Sequence, residues 1–300
     1  RWIKMRKMTK GERIFSVFNY IILSILALLC ILPMIHVLAV SLSSRSAVAA
    51  GVVSLWPVDF NLESYKYVMN KPEFLRSLLI SIKRVSLGLL VNMFLTIITA
   101  YPLSKNDQQL RHRTILVWFF VFTMLFGGGL IPWYMTIRAT GLLDTIWALI
   151  IPGALPVYNV VLLLNFFRNL PKELEEAALV DGANHWTILW KIYVPLSLPA
   201  LATLTLFTVV GHWNAWFDGL ILMNRPENYP LQSYLQTIIV QQTTVAGSFL
   251  QSEDWRILQL VSDRTVKTAQ IFLGALPILI VYPFLQKYFM KGIVLGSLKE

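Results

Sequence analysis

Charge is scarce in this chain. Of its 300 residues only 14 % are charged while 56 % are hydrophobic, against roughly 25 % charged in soluble domains. A soluble protein of this length could not hide so much apolar surface in one core, which places the chain in the membrane class. Cysteine is nearly absent: Cys30 stands alone, which excludes an intrachain disulfide framework. No G-x-x-x-x-G-K-[ST] phosphate loop occurs, so ATP hydrolysis by this chain is not expected. The four histidines, His36, His112, His185 and His212, show no H-x-x-x-H spacing and have no cysteine companions, which argues against a metal site. No constellation for an enzyme embedded in the membrane is found either. The formal net charge is +10, a weak pointer to nucleic acid, because topology explains most of it.

A membrane helix needs about 20 mainly apolar residues. Six stretches qualify: Ile14–Val40, Phe74–Leu103, Thr114–Ile137, Thr145–Phe167, Leu196–Met223 and Thr268–Met290. The first is long enough to remain as a membrane helix, so a cleaved signal peptide is not expected. Pro152 and Pro156 predict a kink or an unwound turn in the fourth stretch, with plain packing irregularity as the other reading. Gly127–Gly129 reads as a close-packing or flexible point. Six cations precede Ile14: Arg1, Lys4, Arg6, Lys7, Lys10 and Arg13. By the positive-inside rule they put the N-terminus in the cytoplasm, and six spans return the C-terminus to the same side. The chain divides into 1–73 (tail, first helix and outer loop), 74–290 (a five-span core) and 291–300 (a cytoplasmic tail). On this assignment inside segments carry 15 Lys and Arg against 7 Asp and Glu, and outside segments 11 against 8.

One inside segment, 168–195, is not basic: Arg168, Lys172 and Lys191 meet Glu173, Glu175, Glu176 and Asp181. Pro171 and the acids after it suit a helical first turn. Leu174, Ala177 and Ala178 share one face, Gly182 can end the helix, and "HWTILWKIYV" starts another. A short helix, a sharp turn and a second helix fit docking into a groove on a partner.

The fifth stretch carries "GHWNAWFD", with His212, Trp213, Asn214, Trp216 and Asp218 at membrane depth. Such residues face protein or a water-filled route, and aromatic faces beside amides suit sugar rings. The other readings are docking of a partner protein and an interfacial aromatic belt. Tyr158, Asn159 and Asn165 in the fourth stretch are weaker candidates, since helix–helix hydrogen bonding explains them equally well. Arg76, Lys83 and Arg84 lead into the second span from outside, ahead of its purest apolar part from Val85; with Arg256, Arg264 and Lys267 before the sixth, they could draw an anionic solute to an outer entrance. Snorkelling to lipid headgroups or docking of an acidic partner protein are the competing readings.

"EAALVDGANHWTILWKIYVP" resembles the EAA loop of binding-protein-dependent ABC importer permeases. The family pattern is matched by Glu176, Ala177, Ala178, Gly182, Ile192 and Pro195, with Asp181 inside it. It departs at Val194, where the family usually has Leu. "GGGLIPWYM", "GLLDTIWALIIPGA" and "GHWNAWFDGLILM" are similar to the carbohydrate-import subclass, nearest the permeases for oligosaccharides and polysaccharides, the alginate importer among them. The resemblance implies an all-α, six-helix type I importer permease fold with both termini cytoplasmic, and a non-catalytic subunit. It also implies a second homologous permease, two cytoplasmic ATPase subunits that bind ATP and Mg and take the EAA loop into a cleft, and an extracytoplasmic solute-binding protein. No cofactor is expected in this chain, and no nucleic-acid partner. A self-sufficient secondary transporter or channel is the competing class; it would typically show two repeated halves, and no internal repeat is visible.

Overall fold

The computed structural model describes residues 9–241 and 263–296, with side chains to residue 283 apart from 239–241 and 263. The terminal cations Arg1, Lys4, Arg6, Lys7 and Lys299, and Arg256, lie outside these residues. All regular elements among them are helical. Lys10–Ser41, Pro72–Ser104 and Arg264–Pro283 are each long and apolar enough to cross a membrane. Three bent pairs bring the number to six if each pair is one span.

The chain forms two compact units. Of the described residues, the first takes 9–71 and 263–274. Its helix α1 (Lys10–Ser41) starts from a capping box in which Glu12 N–H donates to Thr9 Oγ1 (3.2 Å) and Thr9 N–H to Glu12 Oε2 (2.7 Å), satisfying two end donors at once. α1 is largely exposed before Ala39, where it joins a small cluster with Val48 and Val53 of the segment around α2 (Arg45–Ala49). α3 (Glu63–Asn70) is tied back when the Tyr65 and Ser41 hydroxyls meet at 2.7 Å.

The second unit takes 72–241 and 275–296 of the described residues. Its centre is α4 (Pro72–Ser104), α7 (Val157–Arg168) and α10 (Leu198–Asn214), packed through Ile97, Ala100, Tyr101, Val160, Leu163, Phe167, Leu201 and Leu204. α4 is patterned inside out: Ser77, Ser81, Arg84, Gly88, Asn92 and Thr96 recur at helical spacing and are all buried, while Leu79, Ile82, Leu90 and Phe94 are exposed. Inverted patterning of this kind is what lipid favours, where small and polar residues make the helix–helix seam. Gly88 lies on that seam because the His212 imidazole of α10 occupies the place a Cβ would take.

Three of the six apolar stretches are broken rather than continuous. α5 (Arg113–Leu125) and α6 (Leu130–Ala139) meet at 112°. Their hinge is Gly127–Gly129, where Gly129 adopts φ +85° and nothing lies within 4 Å of where a Gly127 Cβ would stand. The glycines therefore turn the chain and do not serve close packing. Before α7 the chain makes two 3₁₀ turns, Ile146–Leu149 and Ile151–Gly153, with a 48° bend at Ala154–Pro156, the unwound turn that Pro152 and Pro156 predict. α8 (Lys172–Val180) begins after Pro171, which caps it instead of opening its first turn. α9 runs His185–Leu196 and turns into α10 through 81° at Ser197. It widens to a π-helix at Leu189–Tyr193; Pro195 offers no N–H to the carbonyl four residues back. The fifth stretch, which reads as continuous to Met223, stops at Asn214 and resumes as α11 (Phe217–Leu222). α12 (Leu231–Gln241) is fixed when Leu231 N–H donates to Ser81 Oγ of α4 (2.7 Å). α13 runs Asp263–Gly296.

Asp144, at φ +60°, clamps the loop after α6 to the loop after α11. Its Oδ1 accepts from Asn228 Nδ2 (2.9 Å) and Asn224 N–H (3.1 Å), and Arg225 pairs with Oδ2 at 3.4 Å. The Asn228 bond leads the effects that hold this carboxyl below its ordinary range, followed by its backbone donors and the Arg225 charge.

Candidate functional site

Two places in the second unit gather the polar side chains. The first is a cavity of about 430 Å³ between α4, α7 and α10, lined by Arg84, Asn92, Trp133, Asn159, Thr208, His212 and Asp218 among others. Arg84 is only 3 % exposed. Its Nη1 donates to Asp218 Oδ1 at 3.1 Å, Nη2 donates to Asp218 Oδ2, and the Ala215 carbonyl lies 3.4 Å from Nη1. Its Nε is buried and has no acceptor among the described residues. The Asn92 amide is oriented so that Nδ2 donates to Gly88 O (3.0 Å) and Ala154 O (3.3 Å) while Oδ1 accepts from His212 Nε2 (3.3 Å), an assignment made from the hydrogen-bond network. Asn159 Nδ2 donates to Thr208 Oγ1 at 3.4 Å. Trp133 and Asp218 also border a groove of about 570 Å³, where Gly127–Gly129 of one helix break faces Asn214–Phe217 of the other. Interrupted helices at membrane depth leave backbone groups unpaired within a helix, and such breaks are found where they line a cavity.

The second place is the loop 168–195. α8 ends in a Schellman turn: Gly182 at φ +79° donates to Leu179 O (3.0 Å), and Ala183 N–H donates to Ala178 O (2.9 Å). Asn184 Oδ1 then caps α9 by accepting from Thr187 N–H (2.8 Å). Glu176, Ala177, Asp181 and Val180 are exposed, Val180 by 88 %. Glu175 instead turns inward. It pairs with Lys105 Nζ at 2.6 Å and accepts from Tyr193 Oη at 2.6 Å. Lys105 also donates to Tyr193 Oη (3.1 Å) and stands 4.1 and 4.3 Å from the ring centres of Tyr101 and Tyr193. Burial alone would push the Glu175 carboxyl up. The bonds from Lys105 and Tyr193, with the Lys105 charge, outweigh it and hold the group below its ordinary range. Burial pushes Lys105 down, partly opposed by Glu175.

The candidates named from sequence fall on different surfaces. Arg84, Asn159 and Asp218 line the cavity, and Asn214, Trp216 and Asp218 line the groove. Trp213 is buried on the opposite side of α10, in an apolar pocket of about 190 Å³ with Ile82, Val85, Pro277 and Tyr282. This burial also removes it from an interfacial belt. Tyr158 is 59 % exposed and borders neither space, and Lys83 is exposed on α4. Arg84 is not the entrance cation the sequence suggests, because it stands about 18 Å into α4 and Asp218 balances its charge. Asn92, Thr208, Trp133, Lys105, Glu175 and Tyr193 went unnamed as site residues. The stripe from Ser77 to Thr96 is the signal that could have found Asn92; the rest meet only through tertiary contact.

The pattern of the family described as "Binding-protein-dependent transport system inner membrane component" matches residues 114–294. The chain belongs to this family. It is therefore a membrane-embedded permease subunit of a binding-protein-dependent ABC importer. The permease is 40 % identical to protein LplC of Bacillus subtilis (strain 168), covering 97 % of each chain. It is 39 % identical to the polygalacturonan/rhamnogalacturonan transport system permease protein YtcP of the same organism, over 96 % of this chain and 99 % of that one. A crystallised bacterial ABC transporter that imports the acidic polysaccharide alginate contains a chain 36 % identical to the permease. The two superpose with a TM-score of 0.85 over 95 % of this chain and 100 % of that one.

Proposed function

We propose that this permease lines, with a second permease, the route of an acidic oligo- or polysaccharide delivered by an extracytoplasmic binding protein. Two cytoplasmic ATPase subunits drive it by docking on 168–195 through the exposed face of α8, Glu176, Ala177 and Asp181 foremost. They, and not this chain, carry ATP and Mg. The observation that carries the reading is the cavity between α4, α7 and α10. It offers donors and acceptors from Asn92, Asn159, Thr208 and His212 beside the Trp133 ring, a lining suited to sugar hydroxyls and C–H faces. The two relatives named for polygalacturonan or alginate support an acidic cargo. Within the chain, the Arg84–Asp218 pair leaves the cavity balanced, so long-range attraction falls to cations such as Lys83.

Reconstituted vesicles holding the complete transporter test this. Lys83→Gln should cut oligogalacturonate uptake several-fold and weaken its salt dependence, with neutral maltooligosaccharide uptake unchanged. Equal losses for both sugars would assign Lys83 to anchoring or binding-protein docking. No oligosaccharide uptake by the unmodified transporter would remove the carbohydrate reading.

A further inference from the structure

We infer that the buried Lys105–Glu175–Tyr193 knot fastens α8 to the cytoplasmic end of α4, so that the ATPase-facing helix and the cavity-lining helix move as one body. The inference rests on α8 being the ATPase contact. Three pieces of chain meet at the knot. Tyr101 comes from the last turns of α4 and Lys105 from the residue after it, Glu175 from α8, and Tyr193 from α9. Lys105 and Glu175 are each 8 % exposed, and the three polar side chains form a closed triangle of hydrogen bonds at 2.6, 2.6 and 3.1 Å. Aromatic packing surrounds it: Tyr101 and Tyr193 meet edge-on at 5.0 Å, and Phe167 of α7 meets Tyr193 at 5.3 Å. The Tyr101 hydroxyl reaches His185 Nδ1 at 3.1 Å, binding the start of α9 to the same point.

The chemistry of this contact suits transmission. Apolar side chains can slide past one another, since their attraction is not directional. A buried ion pair with a third hydrogen-bonded partner cannot slide without uncovering an unpaired charge. Such a pair is weak as a source of net stability and strong as a fix on geometry. Its position matters equally. α4 is one unbroken helix from Pro72 to Ser104, and it carries Arg84 and Asn92 in the cavity wall. Arg84 and Lys105 are therefore joined by roughly 30 Å of a single rod. α4 is thus a continuous mechanical route from the knot to the cavity wall, crossing none of the bends of 112°, 48° and 81° found elsewhere in the unit.

Cavity accessibility provides the test, in the complete transporter with Cys30→Ser and a single Phe207→Cys reporter on the cavity wall. With the knot intact, the thiol-labelling rate should differ at least fivefold between the nucleotide-free and the vanadate-trapped states. In Lys105→Met with Glu175→Gln, which removes both charges and leaves none orphaned, the ratio should fall to about one while the ATPase subunits still co-purify. Lys105→Arg should keep part of the ratio. A fivefold ratio that survives in the double variant, or a ratio of one with the knot intact, overturns the inference. So does loss of the ATPase subunits from the double variant, because the knot would then build the docking face and not transmit from it. Glu176→Lys separates the underlying reading: if it leaves ATPase attachment unchanged, α8 is not the contact, whatever the knot variants do.

Discussion

Replacing Asp218 with alanine should destabilise the permease by about 3–5 kcal/mol, the usual cost of stranding one partner of a buried ion pair. Arg84 is 3 % exposed, and its other acceptor is one carbonyl at 3.4 Å. With Asp218 gone, the buried guanidinium would keep its charge with no carboxylate to balance it. Asp218→Asn should cost less, because the amide oxygen still accepts one hydrogen bond. Arg84→Met combined with Asp218→Leu should recover much of the loss, since an apolar pair leaves no orphan. Thermal unfolding of the purified assembly, followed by size-exclusion recovery, distinguishes the three. An Asp218→Ala protein that unfolds within a degree of the unmodified one would mean that Arg84 is solvated or paired elsewhere.

The second large effect is functional. Gly182→Val should lower uptake and stimulated ATP hydrolysis together by about tenfold. Nothing lies within 4 Å of a Cβ at this position, so crowding is not the cause. The cause is φ +79°, a conformation that costs a residue with a Cβ roughly 1–2 kcal/mol, more when it is β-branched. The turn would relax, losing the bonds to Leu179 O and Ala178 O that set α8 against α9. Gly182→Asn, which tolerates the left-handed region, should retain most activity. Parallel rates for the valine variant and the unmodified transporter would show that this turn need not be held rigid.

How much of this was legible before the structure follows from the range of each signal. The Gly182 turn could be read because its determinants sit within a few residues: a helix-forming run, one glycine and a second helix-forming run. The long helices were legible too, and Ile14–Val40 and Phe74–Leu103 fall within Lys10–Ser41 and Pro72–Ser104. Breaks were harder, because hydropathy averages across Gly127–Gly129 and across Asn214–Trp216, where the surrounding residues stay apolar. Nothing local separates Glu175 from the other acids of α8, because its partner Lys105 is 70 residues away. Trp213 and His212 are neighbours about 100° apart on α10. Only one can face the cavity, and packing against Gly88 of α4 selects His212. Arg84 was misjudged by position alone: proximity to the start of a span suggested an entrance, whereas its buried stripe marks the interior.

Substrate-protected labelling at Thr208→Cys, in the Cys30→Ser background, most directly asks whether a sugar passes between α4, α7 and α10. In the complete transporter with loaded binding protein, a methanethiosulfonate reagent attached at this site should stop oligogalacturonate uptake. Turnover with the sugar present should slow the labelling several-fold. Full modification of the introduced thiol with uptake unchanged, and a labelling rate indifferent to the sugar, would place the route elsewhere.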